Sequence, residues 1–146
     1  MTAPWSTSGP LNRLVTLVTA LTGIQHVYIG VPEKPANQVC AYITIGGQTV
    51  IEKTTGGQAQ RTVGYRVVFV YALDGNESAA ELIVADAIDA FMSALLADRT
   101  VGGTLERIMI DATEADRPQY ALMSGEEFRQ YPITIRGDQR NVYPVT

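Results

Sequence analysis

Residues 65–92 read YRVVFVYALDGNESAAELIVADAIDAFM, and this stretch decides the fold. Its first part, residues 67–73, is apolar at every position, which is typical of a strand buried on both faces of a sheet. Asp74, Gly75 and Asn76 then predict a tight turn, with Asn76 as the N-cap of a helix. From Glu77 onward apolar residues recur at helical spacing, so the stretch predicts a mid-sheet strand followed by a long amphipathic helix at about residues 77–97.

The predicted long helix has one apolar face and one acidic face. Asp86, Asp89 and Ser93 fall on the acidic face, and Leu82 falls among them as an isolated apolar residue. Glu77 and Glu81 lie near the helix start, where carboxylates are favourable. The apolar face consists of Ala80, Ile83, Val84, Ala87, Ile88, Phe91, Ala94 and Leu95.

The other elements follow from periodicity and from glycine and proline punctuation. Apolar residues at helical spacing predict a first helix at about residues 10–22, with Pro10 near its first position and Gly23 after its end. Pro132 favours an edge position for the last strand, and residues 113–124 are predicted to be irregular. The predicted strands cover residues 25–31, 39–45, 49–55, 61–73, 105–112 and 128–137. The simplest arrangement is a single α+β domain over residues 1–146, in which a mostly antiparallel or mixed sheet packs against two amphipathic helices in two layers.

Residues 56–60, GGQAQ, predict a flexible hairpin between the third and fourth strands. The strand ends that flank it, residues 52–55 and 60–62, are polar on both faces. We therefore predict a β-hairpin that projects on the order of 20 Å beyond the core, with a solvated loop of no function as the alternative. Residues 1–8 are predicted to be a mobile lead-in, and residues 138–146 an extended C-terminal tail.

Composition excludes several classes of function. The chain has 146 residues, of which 46% are hydrophobic and 18% charged, so it can bury a core without disulfides or metals. Its net charge of −4 and the absence of a Lys/Arg cluster argue against a protein that grips nucleic acid through its phosphates. No apolar run reaches the ~20 residues of a membrane helix, and we expect no export signal and no membrane association. Cys40, the one cysteine, is expected to be a buried packing residue.

No sequence pattern indicates a catalytic, cofactor or metal site. His26 is the single histidine, so a histidine pair for metal is impossible. The Gly46-Gly47 and Gly56-Gly57 pairs lack the spacing of phosphate-binding loops. A pair of catalytic carboxylates from separate segments, such as Asp111 and Glu127, stays open. We expect a protein that is not an enzyme.

The order of elements resembles tail terminator proteins of long-tailed bacteriophages. The resemblance is carried by VYIGVPEKPANQVCAYITIGG at residues 27–47, by the strand and helix of residues 65–92, and by EFRQYPITIRG at residues 127–137. It covers nearly the whole chain with motifs of low specificity. It implies a homohexameric ring at the head-proximal end of the virion tail, assembled in the host cytoplasm. Such a ring caps the tail tube and docks the head-completion or connector proteins, without a cofactor.

The resemblance also implies two contact segments. The hairpin matches the arm that such rings use against a neighbouring subunit or the tube, and residues 140–146 match a second contact segment. The implied interface residues are Thr54, Thr55, Gly56, Gly57, Gln58, Ala59, Gln60, Arg61, Arg140, Val142 and Tyr143. Because DNA passes through the bore of such a ring without specific binding, we hypothesise that Glu81, Asp86 and Asp89 face the lumen.

Other functions remain open on the sequence alone. A head–tail connector, neck or minor tail protein would differ only in its position in the particle. A subunit of a phage-derived contractile or gene-transfer particle would share the mechanism without the virus. A small cytoplasmic ligand-binding or enzymatic α+β domain belongs to another class.

Overall fold

Two helices and six strands make up the described part of the chain. The computed structural model describes residues 5–33, 35, 38–53, 58–73, 77–106, 108–111 and 119–142. The helices are α1 (Ser8–Thr19) and α2 (Glu77–Ala97). The strands are β1 (His26–Ile29), β2 (Cys40–Lys53), β3 (Gln58–Ala72), β4 (Ile108–Asp111), β5 (Gln119–Met123) and β6 (Glu126–Val142). They form one mixed sheet in the order β1-β2-β3-β6-β4, and β5 also pairs with β6. The predicted α+β class is confirmed.

Strand β3 lies at the centre of the sheet and is buried on both faces, as predicted. It pairs antiparallel with β2 on one side and with β6 on the other. Val67, Phe69 and Tyr71 belong to the core that contains the helices. The alternate residues Val68, Val70 and Ala72 belong to a second cluster, with Cys40, Tyr42, Met123 and Phe128, on the other face.

Both helices pack on the same face of the sheet. From α1, Leu14 and Val18 are fully buried, and α2 contributes its predicted apolar face, with Phe91 set edge-on against Phe69 at 6.1 Å between ring centroids. The bounds of α2 match the prediction. Helix α1 begins two residues earlier than predicted and ends at Thr19. We refer to the opposite side of the sheet as the helix-free face.

Strand β2 is continuous, so the prediction of two strands broken at Gly46-Gly47 was wrong. Its pairing with β3 shifts register between Ile45 and Gln48, which marks a β-bulge. Backbone atoms approach closely there. A Cβ atom on Gly46 would lie 3.1 Å from the carbonyl carbon of Gly64. The glycines therefore bend the strand pair instead of ending a strand.

Strand β6 is longer and more central than predicted, because β3 pairs with one of its edges and β4 and β5 with the other. The edge position inferred from Pro132 was wrong for the strand as a whole. Pro132 itself nevertheless lies at a gap in the pairing on one edge of β6, because β5 pairs with β6 only up to Gln130 and β4 pairs with it only from Thr134. Among the described strands, none pairs with Pro132 on that edge, where its missing N–H costs no ladder hydrogen bond.

Part of the segment predicted to be irregular forms β5. This strand returns into β6 through Ser124 and Gly125, both with positive φ (54° and 83°), which is the backbone of a two-residue type I′ hairpin. The Ser-Gly pair was the local signal for this hairpin.

Candidate assembly surfaces

A three-stranded arm, formed by residues 48–53, 58–62 and 138–142, continues from the sheet beyond its apolar core. The β2–β3 pairing runs to Lys53 opposite Gln58, and the β3–β6 pairing runs to Gln58 opposite Val142. Val63 is the last residue of β3 in the apolar core. Five further residues of β3, at ~3.4 Å each, carry the arm about 17 Å past that point.

The two contact segments implied by the resemblance lie side by side in this arm. Ala59 faces Asn141 and Gln60 faces Arg140 in register, so residues 138–142 are its third strand. Residues 54–57 and Tyr143 lie outside the described residues. The hairpin and the described part of the tail therefore form one projection, and not two separate patches on the subunit.

Both outer edges of the arm lack a neighbouring strand within the described chain. Strand β1 pairs with β2 only as far as Ile43, and β4 pairs with β6 only as far as Gly137. Residues 48–53 and 139–142 therefore present edge backbone on opposite sides of the arm. Edge strands of this kind can accept a strand from another chain.

A buried polar cluster fixes the base of the arm. Arg61 is only 9% exposed, and its Nε and Nη2 donate to Oε1 of Gln139 at 2.9 and 2.7 Å. The amide of Gln139 donates to the carbonyls of Ser6 at 2.6 Å and Thr104 at 3.2 Å. The Arg61 guanidinium also lies over the Trp5 ring, 5.0 Å from its centroid. The Arg61 side chain, implied as an interface residue, is thus engaged within its own chain.

The last residues of the predicted lead-in take part in this cluster. The Tyr65 hydroxyl donates to the carbonyl of Thr7 at 2.7 Å, and Arg61 donates to the Thr7 hydroxyl. Burial raises the pKa of Tyr65 to about 12, although the nearby Arg61 charge partly opposes this. Residues 5–7 are therefore bound to the sheet, which corrects the prediction of a mobile lead-in for these three residues; residues 1–4 lie outside the described part.

The three carboxylates assigned to the lumen have different surroundings. Asp86 and Asp89 are exposed on the outer side of α2, as predicted from the helix pattern. Glu81 instead lies at the sheet end opposite the arm, where its Oε1 accepts hydrogen bonds from Tyr71, Tyr131 and Arg129.

This network alters the titration of its members. Burial opposes ionisation of Glu81, but the hydrogen bonds from Tyr131, Tyr71 and Arg129 outweigh it and lower its pKa. Burial, followed by the Glu81 hydrogen bond, raises the pKa of Tyr71. Arg129 also lies over the Tyr131 ring at 4.4 Å. Because the Arg129 charge offsets that of Glu81, the exposed negative charge of α2 is centred on Asp86 and Asp89.

The helix-free face carries an open groove of about 570 Å³ at the β2 bulge. Its described lining contains two arginines and no carboxylate: Gly46, Gly47, Gln48, Thr62, Gly64, Tyr65, Arg66, Met109, Thr134 and Arg136. Arg136 is exposed, and Met109 is 64% exposed. The sequence patterns did not indicate this groove, because its residues come from four strands and meet only through the sheet register.

The residues considered for catalysis do not form a site. Asp111 pairs with Thr134 of β6, and Glu127 lies on the same strand, seven residues before Thr134. At ~3.4 Å per residue, the two carboxylates are roughly 24 Å apart. His26 is exposed and Cys40 is fully buried. Among the described residues, no cluster of three or more His, Cys, Asp or Glu is placed to hold a metal ion. Neither described helix is long and apolar enough to cross a membrane.

The fold thus defines an α+β domain with a helix layer on one face, an open groove on the other and a projecting arm. No family model matches the chain, and no curated protein matches it. A chain from the virion of a native gene transfer agent particle is similar over 92% of this chain and 93% of its own length, with 16% identity and a TM-score of 0.43. A sheath/tube terminator of an extracellular contractile injection system (PVC), in the extended state, is similar over 99% of this chain and 62% of its own length, with 11% identity and a TM-score of 0.46. At these values both similarities are weak.

Proposed function

We propose that this chain is a structural subunit that assembles through its arm into a closed ring, and that the ring is the terminator of a phage-type tail. In this role the ring caps the tail tube at its head-proximal end and docks the head-completion or connector proteins. DNA passes through the bore without specific binding. The proposal includes no enzymatic activity and no cofactor.

The observation that carries the proposal is the anchored three-stranded arm. An arm that reaches about 17 Å past the core contributes little to the stability of its own subunit, because it leaves the apolar interior. Its base is nevertheless fixed by the buried Arg61–Gln139 pair, which gives the arm a defined direction. A projection with a fixed base and two outer edges that lack a neighbouring strand in the described chain is suited to contact with a neighbouring copy, where its backbone groups find partners.

In the proposed ring, the arm of one copy contacts a different patch on the neighbouring copy. The arm lies at one end of the sheet, so the receiving patch lies on another part of the subunit. Such heterologous contacts close into rings when the rotation between neighbours divides a full turn. The six-membered ring is the form that the resemblance implies. Negative charge on the bore of such a ring would avoid retention of passing DNA.

An arm-shortened variant tests the proposal. Ile51 and Gln60 are paired in register, so an Asn-Gly turn that replaces residues 52–59 removes the tip without shifting the sheet. The chain of this variant ends after Arg140, the partner of Gln60. Because the core and the Arg61 cluster are untouched, the variant is expected to fold but to sediment as a monomer while the natural chain forms rings.

A matched control alters a turn at the other end of the sheet. Replacement of Ser124-Gly125 by Asn-Gly keeps the type I′ hairpin between β5 and β6 and is expected to leave ring formation unchanged. Sedimentation velocity and negative-stain electron microscopy read out assembly. Rings of normal size from the arm-shortened variant would contradict the proposal. Antibody labelling of the natural chain tests its position: label at one end of purified tails is expected, and label along the whole tail would contradict the terminator role.

A further inference from the structure

We propose that the groove on the helix-free face binds the acidic outer face of α2 from a second copy of this chain. The inference rests on the proposed ring and adds a second contact between neighbouring copies, separate from the contact made by the arm. The helices cover one face of the sheet and the groove opens on the other. One copy can therefore stack its α2 on the sheet of the next, which makes a head-to-tail contact.

The groove is built for close approach by an acidic partner. Gly46, Gly47 and Gly64 leave its floor without side chains, so the backbone of a partner can come near the sheet. Arg66 and Arg136 line it as diagonal neighbours on β3 and β6, which places the two residues about 7–8 Å apart. The side chain of Arg136 is exposed and directed to the groove.

Helix α2 offers the complementary surface. Asp86 and Asp89 are exposed and stand three residues apart, so their Cβ atoms are about 5–6 Å from each other. That spacing allows one carboxylate to pair with the exposed Arg136 and the other to approach Arg66, which also donates to Oε1 of Gln119 at 3.4 Å. From Glu77 to Asp98 the sequence contains no Lys or Arg, so no cation within the helix competes for them.

The remaining outer residues of α2 fit the same contact. Ala85, Ala90 and Ser93 are small and exposed, which permits a short distance between the helix axis and the glycine floor. Leu82 (69% exposed) and Leu96 (56%) provide apolar area, and Met109 at the rim of the groove can cover part of it. An interface of this kind combines an apolar contact with charge pairs that fix its register.

The surroundings of the groove favour a protein partner over nucleic acid. Asp138 lies at its arm end, where it accepts a hydrogen bond from Thr62 at 2.9 Å, and Asp111 pairs in register with Thr134 beside it. These carboxylates would repel a continuous phosphate backbone more strongly than the two carboxylates of α2, which carry less charge.

Charge reversal on both surfaces tests the inference. We expect Arg136→Glu and Asp89→Lys each to weaken ring assembly by roughly tenfold or more, because each places like charges across every interface of the ring. The double variant carries both reversals in the same chain, so every interface regains an opposite pair and assembly is expected to return toward the natural level. Glu33→Lys and Arg99→Glu are control reversals at exposed residues off both surfaces, and both are expected to assemble normally.

Sedimentation velocity over a range of concentrations measures assembly, and urea unfolding of each variant confirms that the subunit is intact. Normal rings from both single variants, or no recovery in the double variant, would overturn the groove–helix contact and leave the arm-based ring standing. A natural chain that never assembles would instead overturn the ring, and this contact with it. Binding of duplex DNA by the natural chain that Arg136→Glu abolishes would assign the groove to a polyanion and would also overturn the inference.

Discussion

Replacement of Gln139 by leucine removes the group that holds the base of the arm. The Gln139 side chain makes four hydrogen bonds: Oε1 accepts two from Arg61, and Nε2 donates one each to the carbonyls of Ser6 and Thr104. Leucine has a similar size and can make none of them. The Arg61 guanidinium would keep only the Thr7 hydroxyl and the Trp5 ring as partners.

The expected cost follows from the burial of the charge. Loss of hydrogen bonds to a buried charged group costs about 1.5–3 kcal/mol, because water reaches such a site poorly. Arg61 is 9% exposed, and the carbonyls of Ser6 and Thr104 lose their donor as well, so we expect the upper end, about 3 kcal/mol. In a domain with a typical stability of about 5–15 kcal/mol this is a large loss.

The matched control is Gln130→Leu, at the other buried glutamine of the same strand. Gln130 is 8% exposed and donates to the Tyr42 hydroxyl at 3.1 Å, which is a bond between neutral groups worth about 1 kcal/mol. Urea unfolding, followed by circular dichroism and fitted with a common slope, gives both changes. We expect Gln139→Leu to cost about 2 kcal/mol more than Gln130→Leu. Equal losses would refute the view that the Arg61–Gln139 pair fixes the arm.

Three further perturbations test other parts of the structure. Phe91→Ala empties a fully buried position against Phe69 and is expected to cost about 3–5 kcal/mol in urea unfolding; a loss below about 1 kcal/mol would show that this face of α2 is not in the core. Because the pKa of Glu81 is lowered in the folded state, its contribution to stability is present above about pH 4.3 and is lost as the pH falls through the folded pKa. Glu81→Gln is therefore expected to flatten the acid side of the stability–pH curve. An unchanged curve would contradict the hydrogen-bond network around Glu81. Burial raises the pKa of Tyr65 to about 12, so this residue contributes stability below about pH 10 that is lost as the pH rises toward 12. The tyrosinate absorbance of the natural chain minus that of Tyr65→Phe reports the ionisation of Tyr65. We expect no ionisation near pH 10, and a normal titration there would refute the burial of Tyr65.

The elements with strong periodicity were predictable from the sequence. The apolar run of residues 67–73 indicated a strand buried on both faces, and the spacing from Val84 to Leu95 gave the core face of α2. Both signals are local, because the burial of a continuous apolar segment leaves a pattern in the segment itself.

The features that the sequence patterns missed depend on pairing between distant segments. Gly46-Gly47 was interpreted as a strand end, whereas contact with Gly64 makes it a bulge within one strand. The C-terminal strand of the arm is polar, so no apolar alternation marks residues 138–142, and its place is set by register with residues 58–62. The base of the arm could not be predicted for the same reason, because the Arg61–Gln139 pair joins residues 78 positions apart in the sequence.

Assembly state is the property that the whole account depends on. Native mass spectrometry of the purified natural chain, over a concentration series, measures it without any assumed partner. We predict a single closed species, a hexamer, that grows at the expense of the monomer and does not extend to higher multiples. A chain that stays monomeric at the highest concentration, or that forms an open-ended ladder of oligomers, would contradict the account.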